Sequence, residues 1–112
     1  GTTMYAHDTF EGMVSRLLDG ELQGAVAIED VEVIGHFCTT REERARGGAF
    51  HILCVSRMSI DSLGADRLPG KFWSVHDLPD HMLKHHRLMF QHVQELLEQG
   101  AGIPLANGYR KL

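Results

Sequence analysis

The sequence of 112 residues lacks the features that would assign it to several large classes of protein. No apolar run approaches the roughly 20 residues that span a bilayer, so we expect no membrane partner. Neither a GxGxxG pattern nor a P-loop pattern occurs, and no Ser-His-Asp or Cys-His nucleophile can be argued from spacing. The two cysteines, Cys38 and Cys54, are expected to be buried reduced thiols rather than a disulfide. We therefore expect a cytoplasmic protein.

Basic charge is also scarce. The chain has 11 lysines and arginines against 15 aspartates and glutamates, which gives a net charge of −4. A protein with this charge is not expected to bind nucleic acid or an anionic membrane surface. Hydrophobic residues make up 43% of the chain, which is enough for one domain with a small core, since a chain of this length hides only about two-thirds of its unfolded surface.

The pattern of apolar residues predicts a helix followed by two strands. Asp8 or Thr9 can cap the helix, which is expected to run to about Asp19. Residues 25–38 alternate as a half-buried strand does, and the mostly apolar residues 49–58 are expected to form a central strand.

A short strand and a second helix are predicted in the C-terminal half. The strand is expected between Pro79 and a connecting loop, residues 59–71, that contains Gly64, Pro69 and Gly70. Pro79 is expected to start the helix, because proline is tolerated in a first helical turn and a broad apolar stripe follows it.

Residues 8–22 have the sequence Asp-Thr-Phe-Glu-Gly-Met-Val-Ser-Arg-Leu-Leu-Asp-Gly-Glu-Leu. This segment resembles a Nudix box, the motif of nucleoside diphosphate hydrolases. The motif reads G-x5-E-x7-R-E-U-x-E-E-x-G-U, where U is a bulky aliphatic residue. When the motif is anchored on Arg16, Asp8 takes the acidic position before it, and Leu17 and Gly20 replace two of the glutamates. Glu21 is the one metal-binding glutamate that remains. The box is similar to the relaxed box of the GDP-mannose hydrolase branch, which also has leucine after the arginine.

The resemblance extends over roughly residues 7–99. The segments 31–37 and 48–57 are placed like the strands after the Nudix helix, and 71–79 looks like the tryptophan strand and the turn before the last helix. The resemblance implies an α+β fold, a truncated Nudix-like α/β/α sandwich with a small mixed sheet and two main helices. Because the strands that precede the box in the family are missing, we expect a homodimer to complete the sheet.

The chain is accordingly divided into three parts. Residues 1–3 are expected to be a remnant of cloning before an initiator Met4. Residues 4–99 are expected to form the truncated Nudix-like domain, and residues 100–112 an irregular C-terminal tail. Whether the sequence is a fragment or a naturally short gene stays open.

A catalytic site in this chain would depend on Glu21. In the family, carboxylates on one helix face hold Mg²⁺ or Mn²⁺ against a diphosphate, and the metal activates water. The resemblance therefore assigns metal binding and catalysis to Glu21, although its partner position four residues earlier is Leu17. The alternative is a solvated carboxylate near the end of the helix. A separate pair, His81 and His85, has the i, i+4 spacing that can hold zinc on a helix.

Ligand binding is predicted at a loop and at the single tryptophan. Arg41, Arg44 and Arg46 lie next to two glycines, and arginine suits bidentate contact with phosphate. Trp73 can stack on a nucleotide base. The alternatives are a core position for the tryptophan and a solvated loop whose arginines pair with neighbouring glutamates.

Three functions are consistent with these observations. We favour a degenerate Nudix-like domain that binds a nucleoside diphosphate derivative without hydrolysing it. The first alternative is an active metal-dependent hydrolase of a nucleoside diphosphate linked to another moiety, with a site completed across a dimer. The second alternative is a structural or protein-interaction module that keeps only the scaffold of the fold.

Overall fold

The computed structural model describes residues 1–104, of which residues 65, 103 and 104 are described by their backbone alone. The described residues form an α+β fold whose elements are, in chain order, α1 (Phe10–Glu21), β1 (Val31–Thr39), β2 (Ala49–Ser56), α2 (Ile60–Leu63), α3 (Lys84–Glu98) and β3 (Ile103–Pro104). None of the helices in this part of the chain has the length and hydrophobicity that crossing a membrane requires. The segment expected to be an irregular tail includes β3, and residues 105–112 lie outside the described residues.

The middle strand of the sheet is β1. The strand order is β2-β1-β3, and β1 and β2 form an antiparallel pair. The predicted α+β class is confirmed, but the prediction that residues 49–58 form a central strand is wrong. Only Leu53 of β2 is buried, and Phe50 is 64% exposed. Apolar composition alone does not separate an edge strand from a central one, because both bury at least one face.

The chain divides into two compact units, and the boundary passes through β1 and β2. The first unit consists of Gly1–Glu32, Val55–Gly70 and, among the described residues, β3. The second unit consists of Val33–Cys54 and Lys71–Gly102. The box segment with α1 therefore belongs to the first unit, and the loop between β1 and β2 belongs to the second.

The core of the first unit lies under α1. This helix begins as predicted after Thr9, whose hydroxyl oxygen accepts a hydrogen bond from the Gly12 backbone N–H at 3.0 Å. Val14 and Leu18, four residues apart on one helix face, are buried, as are Val26 and Val31. The strand expected at residues 25–38 begins only at Val31, because residues 28–30 form a 3-10 turn.

The core of the second unit lies between β1, β2 and α3. Val33, Ile34 and Leu53 are the buried residues of the two strands in this unit, and Val33 shares with Gly35 the face of β1 that α3 covers. The approach of α3 to β1 is closest at Gly35, where a Cβ atom would lie 2.9 Å from Leu96 Cδ1. Glycine at this position therefore lets the helix lie close against the strand.

The second helix of the prediction begins five residues later than expected, at Lys84 rather than Pro79. The carbonyl of Pro79 accepts a turn hydrogen bond from the Met82 backbone N–H at 3.2 Å and another from Arg87 Nη2 at 2.5 Å. These bonds hold residues 79–82 in a turn, and Leu83 is extended, so the helix starts only after it.

The short strand predicted between the connecting loop and Pro79 is absent from the described part of the chain. Gly70 adopts a positive φ of 86°, and the Asp77 backbone N–H closes a turn on the Ser74 carbonyl at 3.0 Å. These two turns bracket residues 71–73, which form no strand pairing among the described residues. The expectation of two buried thiols is also wrong in part, because Cys38 is exposed. Cys54 is partly buried, which raises the pKa of its thiol to about 11.

Candidate functional site

The box segment of the first unit is organised by an ion pair between Arg16 and Asp8. Arg16 Nη1 donates to Asp8 Oδ1 at 2.8 Å, and Nη2 donates to Oδ2 at 3.0 Å. Nη2 also donates to the Thr3 carbonyl at 3.0 Å, and the guanidinium carbon lies 5.3 Å from the centroid of the Tyr5 ring. Arg16 therefore fixes the segment that precedes α1 to the helix, which is a structural role.

These contacts also set the charge of Asp8. The hydrogen bond from Arg16 is the largest cause that lowers the pKa of Asp8 below 3.8. The Tyr5 backbone N–H, which donates to Asp8 Oδ2 at 2.7 Å, is the next cause. An ionised carboxylate has no proton to give at neutral pH, and both oxygens of Asp8 already accept hydrogen bonds from Arg16.

Glu21, the residue expected to bind metal, is the last residue of α1. Its side chain is 58% exposed, and its carboxylate lies 3.4 Å from the amino group of Gly1. Leu17 lies one turn earlier and is half-buried, so α1 offers no second carboxylate at that position.

Metal coordination finds little support in the described residues. No three histidine, cysteine, aspartate or glutamate side chains in residues 1–104 are grouped so that they could hold a metal ion. His81 lies in a turn before α3 and not on the helix, so the helical i, i+4 pair expected with His85 does not form. The zinc hypothesis depended on both histidines lying on one face of a helix, and this geometry is not observed.

The loop between β1 and β2 begins with a turn closed by Thr40 and Glu43. The Thr40 backbone N–H donates to Glu43 Oε1 at 2.8 Å, and the Glu43 backbone N–H donates to Thr40 Oγ1 at 3.3 Å. The hydrogen bond from the Thr40 backbone N–H is the largest cause that lowers the pKa of Glu43, and the Thr40 side chain is the next. The carboxylate is therefore ionised and is occupied by its own turn.

The loop carries three arginines, one within this turn and two after it. Arg41 and Arg46 are exposed, and Arg44 is half-buried, with Nη1 donating to the Gly47 carbonyl at 3.0 Å. In residues 1–104, none of the three forms an ion pair with a carboxylate. The alternative in which the arginines pair with the glutamates of their own loop is therefore not the arrangement observed.

Arg44 belongs to a group of basic residues that the tertiary structure assembles within the second unit. We call this group the basic cluster; its members come from the loop, from β2 and from the first turn of α3, and are Arg44, His51, Lys84, His85 and His86. Burial is the largest cause that lowers the pKa of His51, and the positive charges of Arg44 and His85 add to it. The pKa of His86 is also lowered, first by burial and then by His85, whose ring centroid lies 4.3 Å away.

The first turn of α3 adds a second source of positive potential. Its N-cap residue, Leu83, provides no side-chain hydrogen bond, and no acidic residue lies in the turn. The N-terminal end of a helix carries a partial positive charge, so the cations Lys84 and Arg87 at this end are electrostatically unfavourable. An anion bound beside the turn would relieve this repulsion.

His51 is held in place from β1. Its Nε2 atom lies 3.1 Å from Thr39 Oγ1, and the same hydroxyl oxygen accepts a hydrogen bond from the Ala49 backbone N–H at 3.1 Å. Thr39 is buried, with 5% of its surface exposed. Thr39 therefore fixes both the start of β2 and the position of one member of the basic cluster.

Trp73 lies in the extended segment before α3, and 48% of its surface is exposed. Lys71 Nζ lies 5.7 Å from the centroid of its ring. A core position, the alternative considered for this residue, is therefore not observed. An exposed indole face beside a cation remains available to stack on a planar ligand.

The predicted site residues are divided between the two units. Glu21 belongs to the first unit, whereas the three loop arginines and Trp73 belong to the second. Sequence reasoning missed His51 and Lys84, because neither lies in a motif. Strand pairing brings His51 near Arg44, and the start of α3 brings Lys84 near Glu43 of the same loop. Comparison of the chain with protein-family models, curated proteins and solved structures gives no match.

Proposed function

We propose that this chain is a degenerate Nudix-like domain that binds the phosphate groups of a nucleoside diphosphate derivative and does not hydrolyse them. The basic cluster carries the proposal. Basic side chains from three separate elements of the second unit lie near one another there, and the carboxylate of Glu43 beside them is occupied by its own turn. A diphosphate would neutralise this charge and receive bidentate contacts from arginine.

The contacts within the box segment support the proposal that the chain does not hydrolyse its ligand. Asp8 and Arg16 are held in a structural pair, and Glu21 is the one carboxylate left at the motif positions for metal. A single exposed carboxylate binds Mg²⁺ or Mn²⁺ weakly, because these ions need several oxygen ligands. In this proposal, the chain keeps the helical scaffold of the box segment and binds its phosphate ligand with the second unit.

The histidines of the basic cluster make the proposed binding pH-dependent. Burial, and to a lesser extent neighbouring positive charges, lower the pKa values of His51 and His86, so both are mostly neutral at pH 7. A bound anion favours their charged forms and raises these pKa values. Affinity for a diphosphate is therefore expected to increase as the pH falls from 7 to 5.5.

The binding test uses ADP and inorganic pyrophosphate in calorimetric titrations without added metal. We expect Arg44→Gln to weaken binding by about tenfold or more, since a hydrogen bond to a charged group contributes roughly 1.5 kcal/mol or more. The matched control is Arg67→Gln, which removes the same charge from an exposed arginine of the first unit. Absence of binding to either compound, or equal losses in both variants, would contradict the proposal.

The activity test adds Mg²⁺ or Mn²⁺ and measures phosphate release from a panel of nucleoside diphosphate derivatives. We expect no turnover. Metal-dependent turnover that disappears in Glu21→Gln would replace the proposal with the alternative of an active hydrolase.

The proposal includes a homodimer that completes the Nudix-like sheet. A sheet of few strands leaves backbone donors and acceptors unpaired at its edge, and these favour pairing with another chain. Large apolar side chains that are at least 48% exposed, among them Phe50, Phe72 and Trp73, support an interface on the second unit.

A further inference from the structure

Thr39 is a buried polar residue at the end of β1, and its hydroxyl group lies among three polar atoms of β2. The Ala49 backbone N–H donates to Thr39 Oγ1 at 3.1 Å. The Ala49 carbonyl oxygen lies 3.4 Å from the same Oγ1 atom, and His51 Nε2 lies 3.1 Å from it. A hydroxyl group has one hydrogen to donate and two lone pairs, so these contacts cannot all be made in the same direction.

The three contacts allow two arrangements of hydrogens. In the first, the Thr39 hydroxyl donates to Nε2 of a neutral His51, whose ring hydrogen is on Nδ1. In the second, His51 is protonated and Nε2–H donates to Oγ1, while the hydroxyl donates to the Ala49 carbonyl. The hydroxyl, Nε2 and the Ala49 N–H are hydrogen-bonded in both arrangements. His51 can therefore gain a proton without moving its ring or disturbing the start of β2.

An acceptor for this proton is important because the surroundings of His51 oppose a positive charge. Burial is the largest cause that lowers the pKa of His51, and the charges of Arg44 and His85 add to it. His86 also lies close enough for its charge to interact with that of His51. In the described part of the chain, no ion pair includes His51. Thr39 supplies the hydrogen-bond acceptor, and a bound anion would supply the opposite charge.

His86, the other histidine of the basic cluster with a lowered pKa, lacks such an acceptor. Within residues 1–104, its ring forms no hydrogen bond, and the ring of His85 lies 4.3 Å from it, centroid to centroid. A proton on His86 would therefore place a charge beside a second basic ring. Of the two histidines, His51 is the one whose contacts accommodate a proton.

We propose that His51 takes up a proton on Nε2 when a diphosphate binds to the basic cluster, and that Thr39 is the positioning residue whose hydroxyl group changes from donor to acceptor. The inference rests on the proposed function, because the bound phosphate supplies the negative charge that favours a protonated ring. The proton comes from the buffer, and the N–H bond at Nε2 is the covalent bond that forms.

Nitrogen NMR of the His51 ring tests the proposal in the wild-type protein. Spectra are recorded between pH 5 and 8, with and without ADP, in the presence of EDTA. We expect the neutral ring to carry its hydrogen on Nδ1, and ADP to raise the proton affinity of His51 by about tenfold. Because the measurement needs no variant, it does not depend on the folding of one.

Two variants of Thr39 isolate the contribution of the hydroxyl group. Thr39→Val keeps the shape of the side chain and removes the hydroxyl, whereas Thr39→Ser retains it. A hydrogen bond to a charged ring is lost in Thr39→Val, so we expect the proton affinity of His51 in the ADP complex to fall by about tenfold. Thr39→Ser is expected to restore it.

The pH dependence of ADP binding separates this role from a structural one. Between pH 7 and 5.5, the affinity of Thr39→Val for ADP should increase less than that of the wild type or of Thr39→Ser. Loss of the acceptor for the Ala49 N–H would instead weaken binding equally at every pH. The terminal phosphate of ADP titrates near about pH 6 in every sample, so the differences between the proteins are compared.

The outcomes separate this inference from phosphate binding itself. If ADP binds without raising the proton affinity of His51, or if the neutral ring carries its hydrogen on Nε2, the inference is overturned and the proposed function stands. A pH profile of Thr39→Val that matches the wild type would overturn the role of Thr39. If Thr39→Val does not fold, the ring spectra of the wild type and of Thr39→Ser decide. A protein that does not bind ADP would overturn both proposals.

Discussion

Replacing Gly48 with alanine tests the backbone packing of the loop that carries Arg44 of the basic cluster. A Cβ atom at Gly48 would lie 2.7 Å from the carbonyl oxygen of Thr39 and 3.8 Å from the carbonyl carbons of Thr39 and Thr40. The obstacle is backbone, so it cannot be relieved by turning a side chain. Overpacking that forces the backbone to shift costs about 1–3 kcal/mol, and we expect Gly48→Ala to lower the free energy of unfolding by this amount.

The shift has a further effect because of what Thr39 holds. Thr39 is buried, and its hydroxyl oxygen contacts the Ala49 backbone N–H and His51 Nε2. Moving Thr39 away from position 48 displaces both contacts. We therefore expect Gly48→Ala to weaken the binding of ADP as well as the fold, even though no cation is removed.

The matched control is Gly20→Ala. Gly20 lies in α1, and a Cβ atom there would have no neighbour within 4 Å. Alanine is favoured over glycine in a helix by about 0.5–1 kcal/mol, so this variant is expected to be more stable than the wild type. Both variants restrict the backbone of the unfolded chain in the same way. The difference between their free energies of unfolding therefore reports effects in the folded state.

The assay is urea unfolding followed by circular dichroism, with thermal unfolding as a second reading. A change of 1 kcal/mol shifts the midpoint temperature by roughly 4 °C in a domain of this size. Gly48→Ala is expected to melt below the wild type and Gly20→Ala above it. If Gly48→Ala is as stable as Gly20→Ala, position 48 does not face the Thr39 carbonyl and the reasoning is refuted.

Two further predictions concern pH. Asp8 has a lowered pKa, so its pair with Arg16 stabilises the fold above pH 3.8 and loses this effect as the pH falls through the folded-state pKa. Asp8→Asn should therefore be less stable than the wild type at pH 7. The difference in the free energy of unfolding, measured with urea, should shrink below about pH 4. A difference that stays constant with pH would exclude the ion pair as its source. His51 has a pKa lowered from 6.5, so the unfolded chain binds its proton first and the free energy of unfolding falls as the pH drops below 6.5. His51→Gln should lose less stability than the wild type between pH 7 and 5 in the same assay, and parallel pH profiles would show that His51 is not shielded from protonation.

The elements predicted well are those that depend on neighbours in sequence. The start of α1 after Thr9 follows from a side chain and a backbone N–H three residues apart, and the spacing of Val14 and Leu18 specifies the buried face. The start of α3 was predicted five residues too early. Pro79 is compatible with a helix by itself, and the bond from Arg87 to its carbonyl excludes that conformation.

The candidate site was predicted only in part. The three loop arginines could be named because glycines and arginines in one short segment already suggest phosphate contact. The members of the basic cluster outside the loop could not be named. His51 and Lys84 lie 7 and 40 residues from Arg44 in sequence, and their proximity depends on how β2 and α3 are placed.

The sequence by itself determined the helical box segment, the apolar and uncharged character of residues 49–54, and the low content of basic residues, since these are properties of composition and local spacing. Only the tertiary structure decided that β2 lies at an edge of the described sheet, that the loop between β1 and β2 lies near the first turn of α3, and that Trp73 is exposed. The physical reason is that strand order and helix docking are set by contacts between residues distant in the chain. Many arrangements satisfy the same local pattern, and packing of the whole core selects one of them.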